Sequence, residues 1–182
     1  MKTPIQTAIT LILLLSAIST YADVAAQFEV QTGGTSGKGA FHRVPFTWES
    51  SAAIAKTMPA AILRVNHFSG NQISFSFESP MDMTSILFLS ANPSSRSRIT
   101  LYDASGTVIP IQKILITSPD GVKDFPSEIV ENTVHFAGTK GVSNYQAIID
   151  YLPEVSGVSK VVIDVEHEAG LLDIRLRGTA SN

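Results

Sequence analysis

The chain has 182 residues, 13 basic and 16 acidic side chains, a net charge of −3 and no cysteine. Weak acidity argues against nucleic acid, which selects basic faces, and no polybasic cluster marks an anionic membrane surface. Without cysteine there is no thiolate metal site, no iron–sulfur cluster and no cysteine nucleophile, so stability must come from packing and backbone pairing.

The chain opens on Lys2, then an apolar run from Ile9 to Ile18, then Ser19-Thr20-Tyr21-Ala22. This is the pattern of a secretory signal peptide, with cleavage expected after Ala22. The alternative is an uncleaved anchor, for which an apolar run of about ten residues is short. Removing Lys2 from the 13 basic residues leaves 12 against 16 acidic, a net of −4 over 160 residues. That length suits one domain with its own core.

Apolar residues then recur mostly at period two, the strand signal. Asp23 to Gln31 alternates cleanly, with Val24, Ala26, Phe28 and Val30 on one face. Thr32 to Gly39 reads as a flexible linker by its glycines. Phe41 to Trp48 resumes as a strand. Ser50 to Pro59 allows a short helix ended by Pro59. Ala61 to Phe68 and Gln72 to Glu78 suggest a hairpin around Ser69-Gly70-Asn71. Ser85 to Ser90 is a buried strand by its apolar run, and Ala91 to Ser97 a polar loop. Ile99 to Tyr102 and Val108 to Ile116 flank a strong turn signal, Asp103-Ala104-Ser105-Gly106. Ser118 to Ser127 reads as loop. Strands are expected at Thr133–Phe136, Tyr145–Tyr151, Lys160–Glu168 and Leu171–Arg177. About nine or ten short strands separated by turns predict an all-β sandwich or barrel.

The chemistry-bearing residues form few patterns. His42, His67, His135 and His167 make no helical ligand pair. Asp164, Glu166 and Glu168 share one strand face, opposite Ile163, Val165 and His167. Such a row suits a hard cation such as calcium, and equally a face turned to water. No Gly-x-Ser-x-Gly elbow, phosphate loop or dinucleotide fingerprint is present. Trp48, Tyr102, Tyr145 and Tyr151 offer rings that could stack on a sugar or pack a sheet. These readings lead to no catalytic residue, no metal and no cofactor.

The segment Val24 to Val30 is the feature that an ordinary domain does not require. It can pair with its own sheet. It can also be donated to a neighbour's open edge, with Val24, Ala26, Phe28 and Val30 entering successive apolar positions and the glycines at 33, 34, 37 and 39 supplying reach. Phe46-Thr47-Trp48-Glu49-Ser50 with Ala61 to Ser69, the stretch from Ala169-Gly170-Leu171 to Leu176 as a closing strand after an Ala-Gly turn, and the alternating N-terminus give the layout of a known family. The chain resembles the alpha-class (class 5) chaperone–usher fimbrial subunits, the colonisation-factor pilins. The family's usual Gly-x-Tyr before the last strand is Gly170-Leu171-Leu172 here.

The resemblance implies an Ig-like β-sandwich, incomplete on its own and completed by donor-strand exchange. It divides the chain into residues 1–22 as signal peptide, 23–39 as donor strand and linker, and 40–182 as the pilin domain. It implies a structural subunit of an adhesive surface fimbria, exported through the periplasm to the cell surface. Its partners would be identical or related pilin subunits, a periplasmic chaperone, an outer-membrane usher and a host-surface receptor. The competing expectation is a monomeric exported module that binds carbohydrate or protein.

Overall fold

The structure, a computed structural model, describes residues 34–41, 43–52, 56–60, 63–90, 96–118, 125–137 and 145–178. Over 56–60, 63–71, 88–90, 145–146, 167–173 and 177–178 it is the backbone course that is described. The signal-peptide segment and the alternating strand from Asp23 to Gln31 lie outside the described residues.

All described regular structure is β: β1 (Ser36–Phe41), β2 (Val44–Ser50), β3 (Lys56–Ala60), β4 (Leu63–Ser90), β5 (Arg96–Tyr102), β6 (Ile114–Thr117), β7 (Ser127–Val130), β8 (Thr133–Ala137) and β9 (Tyr145–Gly178). Every pairing is antiparallel. The nine strands form one hydrogen-bonded network in the order β1-β2-β4-β9-β5-β8-β7, with β3 on β4 and β6 on β9. The fold is therefore all-β and sandwich-like.

Two strands organise it. Straight, the 28 residues of β4 would span about 90 Å at roughly 3.3 Å per residue. A domain of this size has a radius of gyration of only about 15 Å. Both long strands must therefore bend, and the register shows where. Gln72 to Ser76 of β4 lies between β2 and Lys160 to Asp164 of β9. Met81 to Ser90 has β9 on both sides: Tyr145 to Val158 on one flank and Gly170 to Gly178 on the other. The network thus has two sections. One runs β1-β2-β4-β9-β5-β8-β7, and the other holds β3, β6 and the remaining lengths of β4 and β9.

Both sections turn their apolar faces to a single core. Phe46, Trp48, Phe75, Ile99, Leu101, Val134 and Ile163 come from the first, and Met83, Ile86, Ala147, Ile149, Tyr151 and Ile174 from the second, in one contiguous buried cluster. The Ser85-Ile86-Leu87 run is buried throughout, as its apolar character predicts, with β9 on both sides.

The outer margin of the first section shows how sequence reaches structure. Gly37 faces Trp48 and Gly39 faces Phe46 across the β1–β2 ladder. A Cβ on Gly37 would stand 2.5 Å from Trp48 Nε1, and one on Gly39 2.5 Å from Phe46 Cζ. The rings lie over β1 because the glycines leave that space open. Phe46 stacks on Phe41 at a centroid distance of 4.5 Å and meets Phe75 edge-on at 5.4 Å.

Several expectations change here. The segment read as linker to Gly39 becomes strand at Ser36, since cross-strand rings compensate what glycine lacks in strand propensity. The helix allowed before Pro59 is instead the strand β3, with Pro59 on an outer strand where a missing N–H is tolerated. The expected hairpin at Ser69-Gly70-Asn71 is a register shift inside continuous β4, the bulge that an isolated glycine permits. Ala169-Gly170 likewise continues β9 rather than turning the chain. Of Val108 to Ile116, only the end from Ile114 joins a ladder, and Val108 makes a single bridge to Tyr102. The strand β7 was not expected. It forms a hairpin with β8 through Glu131 and Asn132, whose φ values of 50° and 62° suit a two-residue type I′ turn.

The Asp103 turn is as expected. Asp103 Oδ1 accepts hydrogen bonds from Ser105 N at 2.9 Å, Ser105 Oγ at 2.7 Å and Thr107 N at 2.9 Å. The Ser105 hydroxyl, followed by the Thr107 backbone, holds the Asp103 carboxyl below the usual carboxylate range.

Candidate functional site

The outward side of the first section carries a polar ladder that the register assembles. Arg98 on β5 is paired with Asp164 on β9 and His135 on β8, and His135 with Glu128 on β7. Gln72 on β4 is the cross-strand partner of Asp164, and its Nε2 donates to Asp164 Oδ1 at 2.9 Å. Arg98 Nε stands 3.9 Å from Asp164 Oδ2, and Arg96 Nε 3.9 Å from Glu166 Oε2. At that distance, with mostly exposed side chains, each ion pair is worth about 0–1 kcal/mol. Thr100 and Thr133 continue the outward face, their hydroxyls 3.1 Å apart.

A hollow of about 1010 Å³ opens along this ladder, bordered by Arg96, Arg98, His135, Asp164 and Glu166. The acidic row read from the sequence is thus, at Asp164 and Glu166, one side of a mixed-charge face. Ile163 and Val165 turn inward as period two requires. No group of three or more metal-ligating side chains occurs among the described residues.

The other candidates fall in different places. Trp48 and Tyr151 are buried in the core, so their rings pack rather than stack on a ligand. Tyr102 is half-buried and lines a smaller hollow of about 520 Å³ with Lys160. Burial pushes the pKa of the Tyr151 hydroxyl far above its ordinary value, and the hydroxyl has no hydrogen-bond partner among the described residues. Tyr145, His67 and His167 lie where only the backbone is described, and His42 lies outside the described residues. So do Val24, Ala26, Phe28 and Val30, the residues expected to join subunits.

Sheet ends are the other candidate feature. Among the described residues β1 and β7 end the first section, and β3 and β6 end the second. Sequence reading missed β7 and the short extent of β6. The signal for β7 was Ile129, an apolar residue spaced evenly from Val134 across the turn.

No family model matches the chain, and no curated protein is significantly similar to it. Among solved structures it is similar to the enzymatically active domain of bacteriophage CBA120 tailspike protein 4, at 18% identity and a TM-score of 0.22, over 82% of this chain and 21% of that one. The chain thus spans about a fifth of the tailspike chain, and a TM-score that low establishes no common fold.

Proposed function

We propose that this chain is an exported, non-catalytic subunit of an adhesive surface fibre, and that each copy donates its Val24 to Val30 strand to a neighbour. The observation that carries the reading is the position of β1. Among the described residues it ends its sheet, so Gly34 and Thr35 lead into the domain at a margin. Only Thr32 to Thr35 separate Gln31 from β1. The sandwich-like fold supports the reading because strand addition needs an open sheet edge. A periplasmic chaperone would cover the acceptor edge before assembly, an outer-membrane usher would pass subunits on, and a host-surface receptor would be the fibre's target.

The test uses the chain from Asp23 onward, with and without residues 23–31, by size-exclusion chromatography with light scattering. Polymers should form from the longer protein and vanish on deletion. Phe28→Asp should also weaken joining, because it places a charge among apolar residues. If both lengths run as stable monomers without a chaperone, the reading fails.

A second reading, the monomeric binding module, draws on the hollow beside Arg96, Arg98 and His135. Under it, deleting residues 23–31 lowers stability rather than association.

A further inference from the structure

The four described sheet ends are not equally open to a further strand. Charge and proline protect an edge from strand addition. On β1, Lys38 is exposed. The sequence of β3 contains Lys56 and Pro59. On β7, Glu128 is exposed. The remaining edge, β6, reads Ile114-Leu115-Ile116-Thr117 and has neither charge nor proline.

Burial singles out the same strand. Ile116 and Ile114 lie opposite Ile149 and Tyr151 of β9. The β9 pair is buried, whereas the two isoleucines pack on the core while remaining half-buried. The core therefore thins at β6. On the outward face Leu115 is 49% exposed, and Leu152 beside it 41%. Among the described residues β6 pairs with β9 alone.

We infer that β6 is the acceptor edge for the Val24 to Val30 segment of a second copy, an inference that rests on the strand donation proposed above. The match is chemical. The ladder from Ile114 to Thr117 offers two inward positions, at Ile114 and Ile116. Period-two alternation sets Phe28 with Ala26 or Val30 beside them, which continues the apolar layer where it stops. The alternate residues, among them Gln27 and Glu29, then lie on the outward face, where Leu115 stands opposite Asp150.

The absence of cysteine makes this testable by disulfide trapping. A donor protein beginning at Asp23 and carrying Gln27→Cys or Glu29→Cys is mixed, under mild oxidation, with an acceptor carrying Leu115→Cys, Lys38→Cys or Glu128→Cys. All three acceptor sites are exposed. A disulfide needs Cα atoms within about 7 Å, as adjacent strands provide. The donor–Leu115→Cys dimer should dominate on non-reducing gels. Dominant capture at Lys38→Cys or Glu128→Cys overturns β6 as acceptor but leaves strand donation standing. So does a polymer-forming sample with no capture at Leu115→Cys. Leu115→Cys coupling chiefly to itself means that β6 of another copy occupies the edge, which also overturns the assignment. A chain monomeric with and without residues 23–31 removes strand donation itself.

Discussion

At the β1 margin, Gly37 and Gly39 lie under the rings of Trp48 and Phe46, whereas at the β6 margin Ile114 and Ile116 are only half-buried. In the first case Phe46 and Trp48 sit one strand inward and reach out over the glycines of the last strand, and Phe41 at the end of that strand stacks on Phe46, so all three rings are buried. In the second, the apolar side chains stand on the last strand itself. The difference teaches that burial at a sheet end depends on which strand holds the bulk. Inner rings laid over glycines close the core at β1, whereas the half-buried isoleucines leave it thinner at β6.

The largest expected effect tests the closed margin. Phe46→Ala removes a ring packed against Phe41, Phe75 and Phe77 and should cost about 3–5 kcal/mol, read from urea unfolding. Gly39→Ala pushes a methyl into that ring and should cost about 1–3 kcal/mol. In the Phe46→Ala background the same substitution should cost less, because the two sites share one space, and a double-mutant cycle measures the coupling. Equal costs in both backgrounds would break this account of β1.

The open margin should respond more weakly. Leu115→Lys should change stability by no more than about 0.5 kcal/mol, yet reduce association by placing a charge on β6. A large loss of stability would show Leu115 to be structural and erase the contrast.

The smallest effect is at the Asp103 turn, distant from both margins. A carboxyl held below its ordinary range stabilises the fold above that range, and the gain is lost as pH falls through the folded value. The urea midpoints of the parent and Asp103→Asn should therefore differ near neutral pH and converge in acid.

How much of this was legible in the sequence depends on whether a signal is local. The Asp103 turn was readable because its hydrogen bonds join residues two and four apart. The all-β class followed from alternation. The strand character of Ser36 to Gly39 was hidden, because what stabilises it is across the ladder in Trp48 and Phe46. The glycines at 70 and 170 read as turns because sequence cannot tell a turn from a bulge inside a long strand. For the candidate site, the inward and outward faces around Asp164 were legible from period two. Its pairing with Arg98 and Gln72 was not, since those partners come from other strands. The contrast among edges needed the topology.

The repeated passage of β4 alongside β9 has a kinetic consequence. Asn66 meets Leu171, Gln72 meets Asp164 and Met83 meets Leu176, so the central ladders join positions roughly a hundred residues apart. Such a fold has high contact order, and refolding is expected on the millisecond-to-second scale rather than in microseconds. The pairs that complete the centre lie in the last stretch of β9, up to Gly178. During synthesis β4 is therefore made before its β9 partners exist, and its apolar face waits for them.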